Sequence, residues 1–201
     1  MINLMRSYEP SSTGQNERLS VRSALAADLR RTIPPRTAGP LLWRLEILVK
    51  CLVQPRVQAL VLYRLAQPLA RHGRHGLAHV LQGMMIRRSG ADISPMADIG
   101  PGLLIMHSVG IVVGPDVCAG RDLTLYQNVT LGDGSRPGQP TLGDLVTLGS
   151  GSAVLGPITI GDEAHVGANA VVTKDVPAQS VATGIPAQHR TAVQGDDSPQ
   201  S

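Results

Sequence analysis

The stretch 92–129, DISPMADIGPGLLIMHSVGIVVGPDVCAGRDLTLYQNV, returns an aliphatic residue at every sixth position: Ile93, Ile99, Ile105, Ile111, Val117, Leu123 and Val129. After an interruption the beat resumes at Leu142, Leu148, Val154, Ile160, Val166 and Val172. A six-residue period fits neither an amphipathic helix nor a hairpin strand; it marks a parallel β-helix built from hexapeptide repeats. Each repeat supplies one short side of a coil, with its Ile, Val or Leu inward and small or polar residues at the corners. Gly102 and Gly110 stand where such corners need permissive backbone angles. A coil buries its aliphatic residues only by stacking on the next, so the stretch acts as one solenoid. Its interior is filled by side chains, in keeping with a chain that contains no Phe. Chemistry is therefore expected on the outer surface, at a loop or between subunits.

Working outward, the chain divides into a flexible N-terminal segment (1–38), a helical region (39–90), the solenoid (91–177, with a loop at 132–141) and a C-terminal segment with a disordered tail (178–201). Residues 1–38 are polar, include Pro34 and Pro35, and show little periodicity. Leu42, Leu45, Ile47, Leu48 and Leu52 predict a helix over 41–53 that Pro55 ends. A second helix is expected over 57–71, kinked or interrupted near Pro68, and a third over 76–88. Arg71, Arg74, Arg87 and Arg88 read as solvated helix rims. His72, His75 and His79 cluster in sequence, but no carboxylate or thiolate stands beside them at metal spacing, so they read as surface histidines and no metal is expected.

The 201 residues suit one folded unit with appendages, and an apolar share of 42% is that of a globular protein. A net charge of +3, without basic runs interleaved with aromatics, gives no support for nucleic-acid binding. Cys51 and Cys118 fall in different elements and form no disulfide framework, which points to a reducing cytoplasm. The first twenty residues lack the apolar core of a signal peptide. The run 41–53 is too short to span a bilayer and carries Arg44, Glu46 and Lys50, so a soluble chain with no membrane partner is expected.

The segments ADISPMADIGPGLLIMHSVGIVVG (91–114), LTLYQNVTLG (123–132), LGSGSAVLGPITIG (148–161), VGANAVVTKDVP (166–177) and GIPAQ (184–188) closely resemble the serine acetyltransferases, hexapeptide-repeat acyltransferases that use acetyl-CoA. The resemblance runs over roughly 41–190, because the spacing from Tyr63-Arg64 to Asp92 also matches. It implies a left-handed β-helix, an acetyl-CoA donor and a homotrimer with active sites between subunits, which the helical part can pair into a hexamer. His107, in IMHSVG, matches the family's catalytic base; a neutral imidazole can take the proton of an attacking alcohol. Asp92 matches the acidic partner that fixes the imidazole's tautomer and stabilises its charged form. The backbone of a neighbouring coil would stabilise the oxyanion.

The loop GDGSRPGQP (132–140) matches the family's long acceptor-side loop, with departures. Gly138-Gln139 stands where Arg-His precedes the proline, and Met106 stands where Asp precedes the catalytic His. No acidic residue lies between Thr32 and Leu45, where the family places another amino-acid contact. Met106, Arg136 and Gln139 are thus the candidate acceptor-side residues. Gly149, Gly151, Ala153, Gly167 and Ala168 match the coil edge along which the donor's pantetheine arm lies, and Lys174 and Arg190 could meet its phosphates. Family members that dock into cysteine synthase end in Ile, and this chain ends in Ser201, so that complex is not expected.

Four readings remain to be weighed. The first is acetyl transfer from acetyl-CoA to a hydroxyl of serine or a serine-like amino acid. The second keeps the mechanism but changes the acceptor to a sugar, polysaccharide or specialised-metabolite hydroxyl, as the missing charged contacts favour. A zinc hydratase on the same solenoid would need three His ligands, and the solenoid offers only His107 and His165. A non-catalytic scaffold is opposed by the presence of both Asp92 and His107.

Overall fold

The computed structural model describes residues 20–34 and 39–191. Four helices precede the solenoid: α1 (Val21–Thr32), α2 (Pro40–Val53), α3 (Pro55–Arg71) and α4 (His75–Ser89). Pro40 and Pro55 open α2 and α3 at positions where a missing N–H costs nothing. The interruption expected near Pro68 does not occur, and α3 runs on to Arg71. Gly90 closes α4 in the left-handed region, φ 70°.

Helix α1 corrects the reading of 1–38 as flexible. Its anchor is polar, which is why apolar spacing gave no sign of it. Asp28, fully buried, accepts from Arg64 Nε at 2.6 Å and Nη2 at 3.2 Å, and from the amides of Gly102 and Leu103 at 2.7 and 2.8 Å. Burial pushes the Asp28 carboxyl up, against the pull of Arg64 and the two amides. The rest of that segment, and the tail 192–201, lie outside the described residues.

The solenoid has three sheets of parallel strands. Its first coil consists of β1 (Asp92–Ile93), β2 (Asp98–Ile99) and β3 (Leu104–Ile105), and β4 (Val112–Val113) begins the second. The sheet that starts at β1 continues through β4, Thr130–Gly132, Ala153–Leu155 and Val171–Val172. Beyond the last coil, Ser180–Gly184 pairs in parallel with His165–Val166 and folds back antiparallel as Ala187–Thr191.

Every residue of the six-residue beat is buried, yet the beat conceals an irregularity. Each side sends in two residues, spaced two apart: Leu103 and Ile105, then Ile111 and Val113, then Leu123 and Leu125. In the first coil the beat marks the second of each pair; from Ile111 to Val129 it marks the first. Ile93 accordingly pairs with Val113 and Ile105 with Leu125, twenty positions on, whereas Thr147 pairs with His165, eighteen on. Two additional residues sit in the corner between β3 and β4. That corner contains His107.

Helix α3 plugs the open end of the first coil. Tyr63 Oη donates to Ala97 O at 2.9 Å, Gln67 Nε2 to the same carbonyl at 3.1 Å, and Arg64 to Ile99 O and Gly100 O at 2.7 and 2.6 Å. These donors satisfy strand carbonyls that have no coil beneath them. Burial, above all, pushes the Tyr63 hydroxyl up to about 12. Corner glycines set the spacing between coils: a Cβ on Gly100 would lie 2.5 Å from Gly120 O.

Candidate active site

The corner 106–111 is held by its backbone. Met106 N donates to Leu125 O at 2.9 Å, Ser108 Oγ to Ser89 O at 2.8 Å, and Gly110 N to Gly90 O at 2.9 Å. Ser108 is buried, while its neighbour His107 is exposed and makes no side-chain hydrogen bond among the described residues. A buried, bonded residue fixes the corner, and the adjacent imidazole is left available to a ligand. Ser89 and Gly90, to which the corner is tied, lie just before Asp92. The fold thereby brings Asp92 and His107 to one edge of the first coil.

No hydrogen bond joins Asp92 to His107. The Asp92 carboxylate instead accepts from Gln82 Nε2 at 2.7 Å, and Gln82 Oε1 lies 3.1 Å from His79 Nδ1. The sequence reading missed Gln82 altogether and placed His79 among inert surface histidines. The signal available was slight: Gln82 is one of several polar residues on α4 and stands two turns before its end. A carboxylate tethered through one oxygen keeps its second oxygen for another donor.

The loop after Thr130–Gly132 leaves the solenoid and returns at Thr141–Leu142. Gly138, which stands where the resemblance has Arg, takes φ 114°, and a Cβ there would lie 2.9 Å from Pro157 Cβ. This backbone excludes a side chain, so the missing Arg is built into the loop's path. Gln139, expected on the acceptor side, is committed at both ends of its amide. Oε1 accepts from Asp116 N at 3.0 Å, and Nε2 donates to Asp133 Oδ2 at 3.2 Å. It clamps the loop to the coil below. Arg136 is exposed and unpaired among the described residues, and Met106 is half-buried.

In the late coils, Gly149, Gly151 and Gly167 have structural reasons to be small. A Cβ on Gly149 would meet Ala168 N at 2.8 Å, one on Gly151 would strike the Asn169 side chain, and one on Gly167 would meet Thr183 Cγ2 at 2.8 Å. Ala153 is half-buried, and Ala168, Lys174 and Arg190 are exposed. Neither cation has a hydrogen bond or ion pair among the described residues. Two unengaged, exposed cations are chemically suited to an anionic, phosphate-bearing ligand. These residues lie at the opposite end of the solenoid from Asp92. Among the described residues no three His, Cys, Asp or Glu side chains converge as metal ligands do, both cysteines are free, and no helix is long and apolar enough to cross a membrane.

Comparison with known proteins bears on this arrangement. Residues 140–174 match the family model described as "Bacterial transferase hexapeptide (six repeats)". The chain is 40% identical to the serine acetyltransferase of Helicobacter pylori over 167 residues, 82% of this chain and 95% of that one. To the serine acetyltransferase of Mycobacterium tuberculosis it is 38% identical over 169 residues, 83% of this chain and 72% of that one. Among solved structures, soybean serine acetyltransferase complexed with serine superposes with a TM-score of 0.74 at 36% identity, covering 85% of this chain and 70% of that one. A serine acetyltransferase complex with CoA gives 0.73 at 32%, covering 87% and 71%.

Proposed function

The chain belongs to the serine acetyltransferase family, and on that premise we propose that it transfers an acetyl group from acetyl-CoA to the hydroxyl of serine or a serine-like amino acid. The observation that carries the reading is His107. It is exposed and makes no side-chain hydrogen bond among the described residues, next to the buried Ser108 that fixes the corner. Acetyl-CoA supplies an acetyl group activated as a thioester. His107 accepts the acceptor's hydroxyl proton on a ring nitrogen as the oxygen attacks, and returns it to the departing sulfur. Asp92, held by Gln82, turns its free carboxylate oxygen to the imidazole and stabilises the cation formed in the transition state. Lys174 and Arg190 hold the donor's phosphates. The site is completed in a homotrimer in which neighbouring subunits bring the two ends of the solenoid into one cleft. The cytoplasm, where acetyl-CoA is made and free thiols persist, is the proposed location.

Gln82 is a positioning residue in this scheme. Gln82→Leu should lower kcat on the order of tenfold, the cost of leaving a carboxylate short of one donor, with KM for acetyl-CoA unchanged. Gln82→Glu should in addition move the acid limb of the pH–rate profile upward, because a second carboxylate beside Asp92 disfavours its charge. Equal kcat and pH profile in all three proteins would remove Gln82 from the mechanism.

One observation favours a second acceptor class. The loop leaves no side chain at Gly138 and anchors itself through Gln139, so Arg136 is the one unpaired cation of the loop, among the described residues, that remains to read an amino acid's carboxylate. A sugar hydroxyl needs no such contact. Thiol release from acetyl-CoA, measured against L-serine, homoserine and a set of sugars, separates the two readings.

A further inference from the structure

Two residues of α4, His79 and Gln82, stand about one turn apart and face each other along the helix. With Asp92 they form a line of three side chains. The His79 ring is exposed, the Gln82 amide is half-buried, and the Asp92 carboxylate is half-buried at the edge of the first coil. Hydrogen bonding gives this line a direction. A carboxylate can only accept, so the Gln82 atom that lies 2.7 Å from Asp92 Oδ1 is the amide nitrogen. The amide oxygen is thereby turned to His79, whose Nδ1 lies 3.1 Å away. That oxygen can only accept in its turn, so His79 Nδ1 carries a proton and donates it. Without such a bond the proton of a neutral imidazole exchanges between the two ring nitrogens.

Resting on the roles proposed above for Asp92 and His107, we infer that His79 is a positioning residue for acetyl transfer, which holds the Gln82 amide the right way round. Asp92 needs a donor on one carboxylate oxygen so that the other stays directed to the imidazole. Gln82 supplies that donor only while its nitrogen faces Asp92. A hydrogen-bond donor at His79 and an acceptor at Asp92 select the same orientation of the amide. An acceptor at both ends would compete for the one nitrogen, and the amide oxygen would then be turned against the carboxylate. His79 touches no reacting atom in this scheme and acts only through Gln82. Its neighbours in sequence are placed differently: His72 Nδ1 lies 2.7 Å from Pro68 O, and His75 makes no side-chain hydrogen bond among the described residues.

The test uses the full chain and has two readouts, one of them independent of turnover. In protein carrying isotope-labelled histidine, long-range proton–nitrogen correlation at a pH where the rings are neutral should place the His79 proton on Nδ1. The signal is assigned by its loss in His79→Asn, and the preference for Nδ1 should disappear in Gln82→Leu. In turnover, His79→Asn and His79→Asp compare a donor with an acceptor of the same shape, since Asn can present an N–H where Nδ1 stood and Asp only oxygens. His79→Asn should keep at least about half the parent's kcat, whereas His79→Asp should lower it about tenfold, as far as Gln82→Leu does, with KM for acetyl-CoA unchanged. Added to Gln82→Leu, His79→Asp should cost less than about a further twofold. Equal kcat in the two His79 variants would overturn the proposal. So would a loss from His79→Asp that persists in full on Gln82→Leu, because it would then come from the added charge. A parent His79 protonated on Nε2, with His107→Ala inactive, would overturn this proposal alone. His107→Ala at the parent's rate would overturn the assignment of the base, and the proposal with it.

Discussion

His107→Ala should lower the rate of acetyl transfer by roughly a hundredfold to ten-thousandfold, the usual contribution of a positioned general base. It should leave the thermal unfolding midpoint where it was. The two halves of this expectation come from the same geometry. The imidazole is exposed and makes no hydrogen bond among the described residues, so its removal takes nothing from the fold. The corner that presents it is fixed by Ser108 Oγ on Ser89 O at 2.8 Å and Gly110 N on Gly90 O at 2.9 Å, both independent of residue 107. KM for acetyl-CoA should change little, because the proposed phosphate contacts, Lys174 and Arg190, lie at the other end of the solenoid. A variant that keeps most of the parent's kcat would remove His107 from the chemistry.

Arg64→Met should have the largest effect on stability, on the order of 3–5 kcal/mol, because it strands a buried carboxylate. Both side chains of the Arg64–Asp28 pair are almost completely inaccessible, at 2% and 0% exposure. Arg64 also supplies donors to Ile99 O and Gly100 O, so its loss orphans two carbonyls in the first coil as well. At fixed protein concentration the unfolding midpoint should fall by roughly 6–20 °C for a chain of this size. The double variant Asp28→Leu, Arg64→Leu should be less damaging than the two single changes added together, since it removes the stranded charge along with its partner. Additive losses would mean that the pair does not act as a unit joining α1 to α3.

The solenoid was legible because its core repeats at a fixed spacing, and the last three helices because Leu42, Leu45, Leu48 and their counterparts recur with helical period. What escaped was built from polar contacts between residues far apart in the chain. Helix α1 is docked by Asp28 onto Arg64, thirty-six positions on, and a polar segment held this way looks flexible in composition. The two added residues in the His107 corner left the six-residue beat unbroken, because each side of the coil has two inward positions and the beat passed from one to the other. Gln82 could not be assigned to Asp92 without the packing of α4 on β1. Gly149, Gly151 and Gly167 are small where the resemblance expects a donor groove, but the stacking of the coils already requires it. At Gly138 and Gln139 the departure from the family was visible in the sequence; only the loop's path showed the backbone angle at Gly138 and the two bonds by which Gln139 ties the loop to the coil.

The most direct test of the account is acceptor-dependent release of thiol from acetyl-CoA by the purified full chain, with L-serine, D-serine, homoserine and a set of sugars supplied in turn and the acetylated product identified. The account predicts turnover with a hydroxyl amino acid, with the acetyl group on its side-chain oxygen. Release stimulated by sugars alone, or by none of these hydroxyls, would contradict it.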